Sequence, residues 1–161
     1  MMILIAFFSI TKDYSFGKVK RLVKGHTETV ADEIKNTVNG DLYRIKKVEA
    51  AVKENEIIPR EINKFDRYEI IYLDFPIYYH TMPDAVKEFI KKYDFSGKTI
   101  IPFTTHSGSG LGRSVGEIQA MCPDATILDG LAVGSAEVKF AKEKIQKWSA
   151  ESLDKAKGEK S

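Results

Sequence analysis

The residues best suited to chemistry lie in three loops, each of which follows an apolar run of the chain. The first loop holds Ser9 and Thr11, and after an inserted stretch it continues as Gly25-His26-Thr27 before a helical pattern. Hydroxyl groups and backbone N–H groups at a helix start form an anion site. Ser9, Thr11 and Thr27 can donate to a phosphate, and Gly25 permits a close backbone approach. An ordinary strand-to-helix turn with Thr27 as its N-cap is the alternative.

The second loop, 75–83, places Tyr78 and Tyr79 side by side between Pro76 and Pro83. Two adjacent aromatic side chains are costly to expose to water, so they indicate a partner surface. A flat heteroaromatic ring stacked on either tyrosine would supply that surface. Packing against a neighbouring helix or a second subunit is the alternative.

The third loop, 104–112, is rich in threonine, serine and glycine. Its glycines, Gly108, Gly110 and Gly112, allow the backbone to wrap closely around a flat ligand with N–H groups directed at it. A flexible segment leading into a helix is the alternative. The chain contains neither the G-x-x-x-x-G-K-[ST] pattern of nucleotide triphosphate sites nor the G-x-G-x-x-G pattern of dinucleotide sites.

The elements that position these loops alternate between strand and helix. Apolar runs predict strands at 2–8, 41–45, 69–75, 98–103 and 125–128, and 3.6-residue periodicity predicts helices near 27–38, 83–93, 111–122 and 138–148. The stretch 12–24 is predicted to be a loop, and a short helix broken at Pro59 is one interpretation of 48–68. Pro102 indicates a bent or shortened fourth strand. This alternation predicts a parallel sheet with helices on both faces, whose ligands bind at the carboxyl ends of the strands.

The composition sets the class of protein. The 161 residues and net charge of +2 fit one globular domain, which we place at 1–150, followed by a charged, frayed tail at 151–161. The single cysteine excludes a disulfide framework, and no apolar run is long enough to span a membrane. The sequence lacks the aromatic and arginine stripe of nucleic-acid binding. We expect a cytoplasmic protein, monomeric or homodimeric.

Taken together, the three loops resemble those of the flavodoxin-like superfamily, in particular its short flavodoxin-type members. Their S-x-T-G-N-T loop corresponds to Ser9, Thr11 and Gly25-His26-Thr27, with 12–24 inserted and His26 in place of asparagine. Their F-P-[IV]-[WY]-[WYG]-x-x-x-P loop corresponds to Phe75-Pro76-Ile77-Tyr78-Tyr79, and their T-H-x-G-S-G-x-G loop to 105–112. The resemblance covers roughly residues 2–148.

This resemblance implies a three-layer sandwich with a five-stranded parallel sheet in the order 2-1-3-4-5, and FMN as the cofactor. The phosphate would lie on Ser9, Thr11, Gly25, His26 and Thr27. The isoalloxazine ring would lie between the second and third loops, which contribute Pro76, Ile77, Tyr78, Tyr79, His80, Thr104, Thr105, His106, Gly108, Ser109 and Gly110. His80 and His106 are candidates to hydrogen-bond the ring or move a proton, although satisfying loop backbone explains them equally well.

The function that the resemblance implies is electron transfer through the flavin, to a redox partner protein or a small-molecule electron acceptor. An NAD(P)H-dependent quinone or azo reductase is an alternative, although no separate nicotinamide motif is found. A binding module without flavin is another, since the insertion and His26 alter the phosphate loop. A receiver domain is disfavoured because the first strand ends without an acidic cluster. A thiol phosphatase is disfavoured because Cys122 is followed by Pro123 and lacks a suitably spaced arginine.

Overall fold

A parallel β-sheet forms the middle layer of the protein. The structure, a computed structural model, describes residues 1–10, 12–13, 20–21, 24–46 and 61–160. The strands of the sheet are β1 (Met2–Phe7), β4 (Asp41–Arg44), β5 (Tyr68–Pro76), β6 (Thr99–His106), β7 (Thr126–Ile127) and β8 (Leu131–Gly134). β1 lies between β4 and β5, and β6 pairs with β5 and with both β7 and β8. The predicted strand order 2-1-3-4-5 is therefore confirmed.

Helices cover both faces of this sheet, as predicted. They are α1 (His26–Val38), α2 (Asp84–Lys92), α3 (Ser114–Met121) and α4 (Lys142–Lys160), with 3₁₀ turns at Phe65–Arg67 and Ser135–Phe140. One core cluster joins the sheet to α1 and α4, and the other joins it to α2 and α3. Alternate residues of each central strand enter opposite clusters, because successive side chains of a strand point to opposite faces. Among the described residues, no helix is long and apolar enough to cross a membrane.

The start of α1 differs from the prediction that Thr27 is its N-cap. Gly25 is the N-cap, with extended backbone, and its carbonyl oxygen accepts the N–H of Thr29 at 3.1 Å. Thr27 lies inside the first turn, and its hydroxyl group contacts the sheet instead of the helix backbone. The helix ends as expected at Asn39, whose φ of 56° begins the turn into β4.

The stretch 12–24, predicted to be a loop, contains a short antiparallel pair instead. β2 (Lys12–Asp13) pairs with β3 (Lys20–Arg21). Local pairing of this kind satisfies backbone N–H and carbonyl groups that a loop would leave to water. Most of the uncertain segment 48–68 lies outside the described residues, and its described end contains the 3₁₀ turn that precedes β5.

Pro102 does not shorten β6, contrary to the expectation from sequence, since the strand continues to His106. The carbonyl groups of Lys98 and Ile100 accept the N–H groups of Thr126, the first residue of β7, and of Leu128, which follows β7. By alternation, Pro102 directs its nitrogen, which has no hydrogen, toward the same edge. The partner strand is interrupted there, between β7 and β8, so no ladder hydrogen bond is lost. The outer strand beside β6 is thus divided into β7 and β8. The strand predicted from sequence at 125–128 corresponds to β7 alone.

The C-terminal segment is also more ordered than its composition predicts. Instead of a frayed tail after residue 150, α4 continues to Lys160. Ser152 and Ala156 are buried against the sheet, and the hydroxyl groups of Tyr72 and Ser152 are 2.9 Å apart. One apolar or small residue per turn suffices to hold this charged helix against the core.

Candidate functional site

The two halves of the first loop meet in space despite the insertion between them. A Cβ atom at Gly25 would overlap Ser9 Oγ and the carbonyl oxygen of Ile10. Only glycine therefore fits at this crossing, which brings the end of β1 against the start of α1. Thr11, the remaining predicted member of this loop, lies outside the described residues.

Hydroxyl groups surround the N-terminus of α1. The N-cap residue, Gly25, has no side chain to cap the helix, and the Thr27 and Thr105 Oγ1 atoms are 3.0 Å apart. Ser9 Oγ accepts the N–H of Glu28 at 3.2 Å. The Glu28 carboxylate turns away to pair with Arg44 at 2.6 Å, so its negative charge is compensated at the side of the site. His26 is half-buried in the first turn. This arrangement offers hydroxyl groups and a helix dipole to an anion.

The second loop turns back tightly at Tyr78–Thr81. Backbone hydrogen bonds of 2.9 Å run in both directions between these two residues. The two central residues have left-handed backbone, with φ of 49° at Tyr79 and 66° at His80. Glycine and asparagine favour such a turn, so a tyrosine and a histidine there are strained. Tyr78 packs on the core beside α2, whereas Tyr79 is 95 % exposed. Tyr79 is thus the tyrosine that has an uncovered ring.

The third loop folds over the end of β6. Gly108, Gly110 and Gly112 all have positive φ, which explains their glycine identity. Thr104 Oγ1 donates to the carbonyl oxygen of Gly110 at 2.9 Å and ties the loop to its strand. The Gly108 N–H donates to His106 Nδ1 at 2.9 Å. A neutral His106 therefore carries its proton on Nε2, where it can serve as a donor.

Backbone contacts join the second and third loops into one wall. The N–H of Arg113 donates to the His80 carbonyl oxygen at 2.7 Å, and a Cβ at Gly112 would overlap that same oxygen. The N–H of Ile77 donates to the carbonyl oxygen of Thr105 at 2.9 Å. The two loops are about thirty residues apart in the sequence, but they follow neighbouring parallel strands and so begin at the same edge of the sheet. These hydrogen bonds fix them relative to each other.

A polar bridge supports this wall from the side. Thr81 Oγ1 donates to Glu117 on α3 at 2.5 Å, and Lys87 on α2 pairs with the same carboxylate at 3.1 Å. Partial burial raises the pKa of Glu117, but the hydrogen bonds from Thr81 and Lys87 lower it by a larger amount. The pKa of Glu117 therefore lies below its usual value. The Glu117 carboxylate therefore stays ionised, with its charge compensated by Lys87. It adds no uncompensated negative charge next to the two loops.

The predicted site residues lie together at the carboxyl edge of the sheet wherever the structure describes them. Pro76 ends β5 and Ile77 follows it, while Thr104, Thr105 and His106 end β6. Ser109 closes a turn by accepting the Gly112 N–H at 3.0 Å. No group of three or more metal-ligating side chains is found within the described part of the chain.

One residue near this edge is not among the predicted site residues. Asp74 is fully buried on β5, and neither of its carboxyl oxygens has a hydrogen-bond partner among the described residues. Burial raises the pKa of its carboxyl group well above the usual value. The signal was visible in the sequence as an acidic residue inside the apolar run EIIYLDF.

A 2-1-3-4-5 sheet with these three loops at its carboxyl edge defines a flavodoxin-like α/β protein. A family model described as flavodoxin matches residues 47–152, more than half of the chain. The chain therefore belongs to the flavodoxin family, and the resemblance noted from the sequence is confirmed. The match includes the second and third loops and begins after the first. A comparison with curated proteins gave no match.

Solved structures agree with this assignment. A Bacteroides uniformis protein provisionally described as a flavoprotein shares 26 % identity and a TM-score of 0.67, over 91 % of this chain and 96 % of that one. Oxidised flavodoxin 2 from Bacillus cereus shares 18 % identity and a TM-score of 0.67, over 96 % and 99 %. A Fusobacterium nucleatum flavodoxin bound to flavin mononucleotide shares 13 % identity and a TM-score of 0.65, over 96 % and 98 %.

Proposed function

We propose that this protein binds FMN and transfers electrons through the flavin. The observation that carries the proposal is the pair of backbone-linked loops, with an exposed tyrosine, beside a helix start surrounded by hydroxyl groups. Membership of the flavodoxin family supports it, as does the FMN bound by the Fusobacterium nucleatum flavodoxin. The expected cofactor thus agrees with both the residues and the relatives.

The first loop fits the phosphate end of FMN. The proposed ligands are Ser9, Thr11, Gly25, His26 and Thr27. The crossing at Gly25 leaves no room for a side chain, and the start of α1 supplies the positive end of the helix dipole. Because Arg44 compensates Glu28, the nearest described acidic side chain of the helix does not oppose a phosphate.

The linked second and third loops fit the ring end. Tyr79 has an uncovered aromatic face for stacking, and the positive-φ glycines bring backbone close to a flat ligand. Residues 75–83 and 104–113 contain no aspartate or glutamate, but they do contain His80, His106 and Arg113. When bound, FMN supplies the redox chemistry. The chain orients the ring, limits its contact with water and places donors and positive charge around it.

The proposal extends to the setting in which the protein works. We expect a cytoplasmic monomer or homodimer that exchanges electrons with a redox partner protein or a small-molecule acceptor. The ring loops carry Arg113 and no carboxylate, which favours an acidic partner surface or an anionic acceptor.

An absorption spectrum of the purified protein tests the cofactor directly. The protein is mixed with excess FMN, desalted and compared with the same protein before loading. Retention of the two visible absorption bands of oxidised flavin, at one flavin per chain, is the expected result. A colourless protein that is still folded by circular dichroism would favour the binding module without flavin.

The phosphate assignment is tested by Thr27→Ala. We expect FMN affinity to fall by roughly 1–2 kcal/mol, because a hydroxyl donor to a charged group is lost. Affinity for riboflavin, which has no phosphate, should change much less. Thr37→Ala is the matched control at the other end of α1, where the hydroxyl group donates to the carbonyl oxygen of Glu33. Equal effects of the two substitutions on FMN affinity would remove Thr27 from the site.

A further inference from the structure

Asp74 is a buried carboxyl group that no contact in the described part of the chain explains. Its side chain is inaccessible to water, and neither carboxyl oxygen makes a hydrogen bond to any part of the chain that the structure describes. Buried polar groups in folded proteins are paired with few exceptions, and an exception near a binding site calls for a functional explanation. The position of Asp74 in the sheet supplies one.

The sheet register places Asp74 directly beneath the proposed phosphate site. Asp74 pairs with Phe7 on β1 and with Phe103 on β6. Two residues further along those strands, one pleat or roughly 7 Å closer to the carboxyl edge, lie Ser9 and Thr105. Both of these residues hydrogen-bond to the first turn of α1. Asp74 therefore underlies the hydroxyl layer that faces the helix N-terminus.

The face on which Asp74 lies follows from its neighbours in β5. Leu73 and Phe75 belong to the core cluster on the α2 and α3 side, whereas Tyr72 belongs to the cluster on the α1 and α4 side. Alternation then directs the Asp74 side chain toward α1 and α4. In agreement, burial is the main cause that raises the pKa of Tyr72, and the negative charge that Asp74 carries when ionised adds to it.

No cation among the described residues faces Asp74 from the elements packed on this side. Every described side chain that is buried on this face from the neighbouring strands, from α1 and from the segment between β8 and α4 is apolar or carries only a hydroxyl group. Tyr72 is the titratable group on this face, and its hydroxyl group donates to the Ser149 carbonyl oxygen at 2.9 Å. His26 and Glu28 lie in the first turn of α1, where Arg44 pairs with Glu28, and Asp154 lies exposed on α4.

We propose that Asp74 makes FMN binding depend on pH, because the site holds the phosphate group only while the Asp74 carboxyl group carries its proton. The inference rests on the proposed function. An ionised Asp74 would face the negative phosphate through a dry interior, where repulsion between like charges is strong and no described cation intervenes. Above the pKa of Asp74, binding must therefore take up one proton from solvent. Asp74 acts here as a positioning residue that sets the charge beneath the site.

The test is the pH dependence of FMN affinity in the unmodified 161-residue protein and in its Asp74→Asn variant. Dissociation constants come from quenching of flavin fluorescence between about pH 6 and 8.5. Relative to Asp74→Asn, the unmodified protein should lose up to about tenfold in affinity per pH unit once Asp74 ionises. The titration of the phosphate itself is common to both proteins and cancels in their ratio.

Two controls separate this effect from others. Asp84→Asn removes an exposed carboxylate at the start of α2 and should keep the pH dependence of the unmodified protein. Riboflavin lacks the phosphate, so the ratio of its affinities for the unmodified protein and Asp74→Asn should not vary with pH. If Asp74→Asn does not fold, Asp74→Val removes the ionisable group with a small apolar side chain.

A constant affinity ratio for FMN across this pH range would overturn the inference while leaving the proposed function intact. Absence of FMN binding by the unmodified protein at every pH would instead refute the proposed function. Inorganic phosphate, titrated calorimetrically into the same two proteins, then decides the inference by itself. A pH-dependent ratio of phosphate affinities supports it, and a constant ratio or no phosphate binding overturns it.

Discussion

At the scale of single residues, Asp74 places a cost on the fold. Its carboxyl group is buried in an apolar layer without a hydrogen bond to any described residue. Because burial raises its pKa, the folded protein keeps a proton that the unfolded chain releases at lower pH. Stability therefore falls as pH rises above the unfolded pKa, by about 1.4 kcal/mol per unit, until the folded pKa is reached.

Asp74→Asn should remove this dependence. The free energies of unfolding of the two proteins should be similar near pH 4 and diverge as pH rises, with the variant more stable at pH 7. Urea unfolding between about pH 4 and 8 measures the difference. Asp84→Asn, which changes an exposed carboxylate, should show no advantage that grows with pH. A difference for Asp74→Asn that is constant with pH would contradict the protonated state of this residue.

Tyr79 illustrates a second residue whose local conformation is unfavourable. It is exposed, and its φ of 49° is one that a tyrosine rarely adopts. Residues with strained backbone often lie in binding or active sites. For Tyr79, the proposed role is to stack on the flavin ring.

Tyr79→Asn should therefore separate stability from binding. Asparagine tolerates left-handed backbone, so the protein without FMN should become more stable by roughly 0.5–1 kcal/mol. FMN affinity should fall by about 0.5–1.5 kcal/mol with the loss of the aromatic face. Thermal unfolding without FMN and fluorescence titration with FMN give the two numbers. Tyr78→Asn, at a core-packed position, should instead lower stability, and equal behaviour of the two variants would argue against this division of roles.

At the scale of elements, the third loop depends on how its glycines meet the second loop. Gly112 has a φ of 55°, and a Cβ there would overlap the His80 carbonyl oxygen that accepts the Arg113 N–H. The contact between the loops thus requires glycine for two independent reasons. Gly116, one turn into α3, has neither constraint, since an added Cβ would meet no atom within 4 Å.

Gly112→Ala and Gly116→Ala are consequently a matched pair with opposite signs. Gly112→Ala should destabilise the protein by roughly 1–3 kcal/mol and weaken FMN binding, because the two loops must separate. Gly116→Ala should stabilise it by up to about 1 kcal/mol through helix propensity. Denaturant unfolding and FMN titration of both variants provide the measurement. A neutral Gly112→Ala would show that the loops are not held together as described.

At the scale of the whole molecule, α4 completes the core on the α1 side of the sheet. Tyr72 on β5 reaches the Ser149 carbonyl oxygen and the Ser152 hydroxyl group, and its ring packs edge-on against Trp148 at 5.7 Å between centroids. Ala156 is fully buried one turn later. The final helix therefore anchors the same face that carries Asp74 and the first turn of α1.

A chain ending at Ala150 should accordingly be less stable than the 161-residue chain. Loss of the Tyr72–Ser152 hydrogen bond and of the apolar contacts of the last turns should cost about 2–4 kcal/mol. Urea unfolding of the two chains measures this. Glu151→Ala, an exposed change in the same helix, should stay within about 0.5 kcal/mol. Equal stability of the shortened chain and the 161-residue chain would instead support the frayed tail that the composition predicts.

The sequence by itself determined the alternation of strands and helices, the sheet order through family resemblance, and the three loops of the site. These follow from apolar periodicity and from loop composition, which are local properties of the chain. The prediction from composition was wrong for the C-terminal segment, because its few buried residues, such as Ser152, are held in place by partners on β5. The prediction that Pro102 shortens its strand was also wrong. The missing N–H of Pro102 costs no hydrogen bond because the neighbouring strand is interrupted there.

Only the tertiary structure decided which atoms meet. The crossing of Gly25 with Ser9, the hydrogen bond from Arg113 to His80 and the unpaired state of Asp74 each join residues from different elements. Their energies depend on the local dielectric and on distances that long-range packing sets, and a linear pattern does not encode these for any one residue. The sequence thus identified where the site lies, whereas the folded arrangement of β1, β5, β6 and α1 determined the charge beneath it.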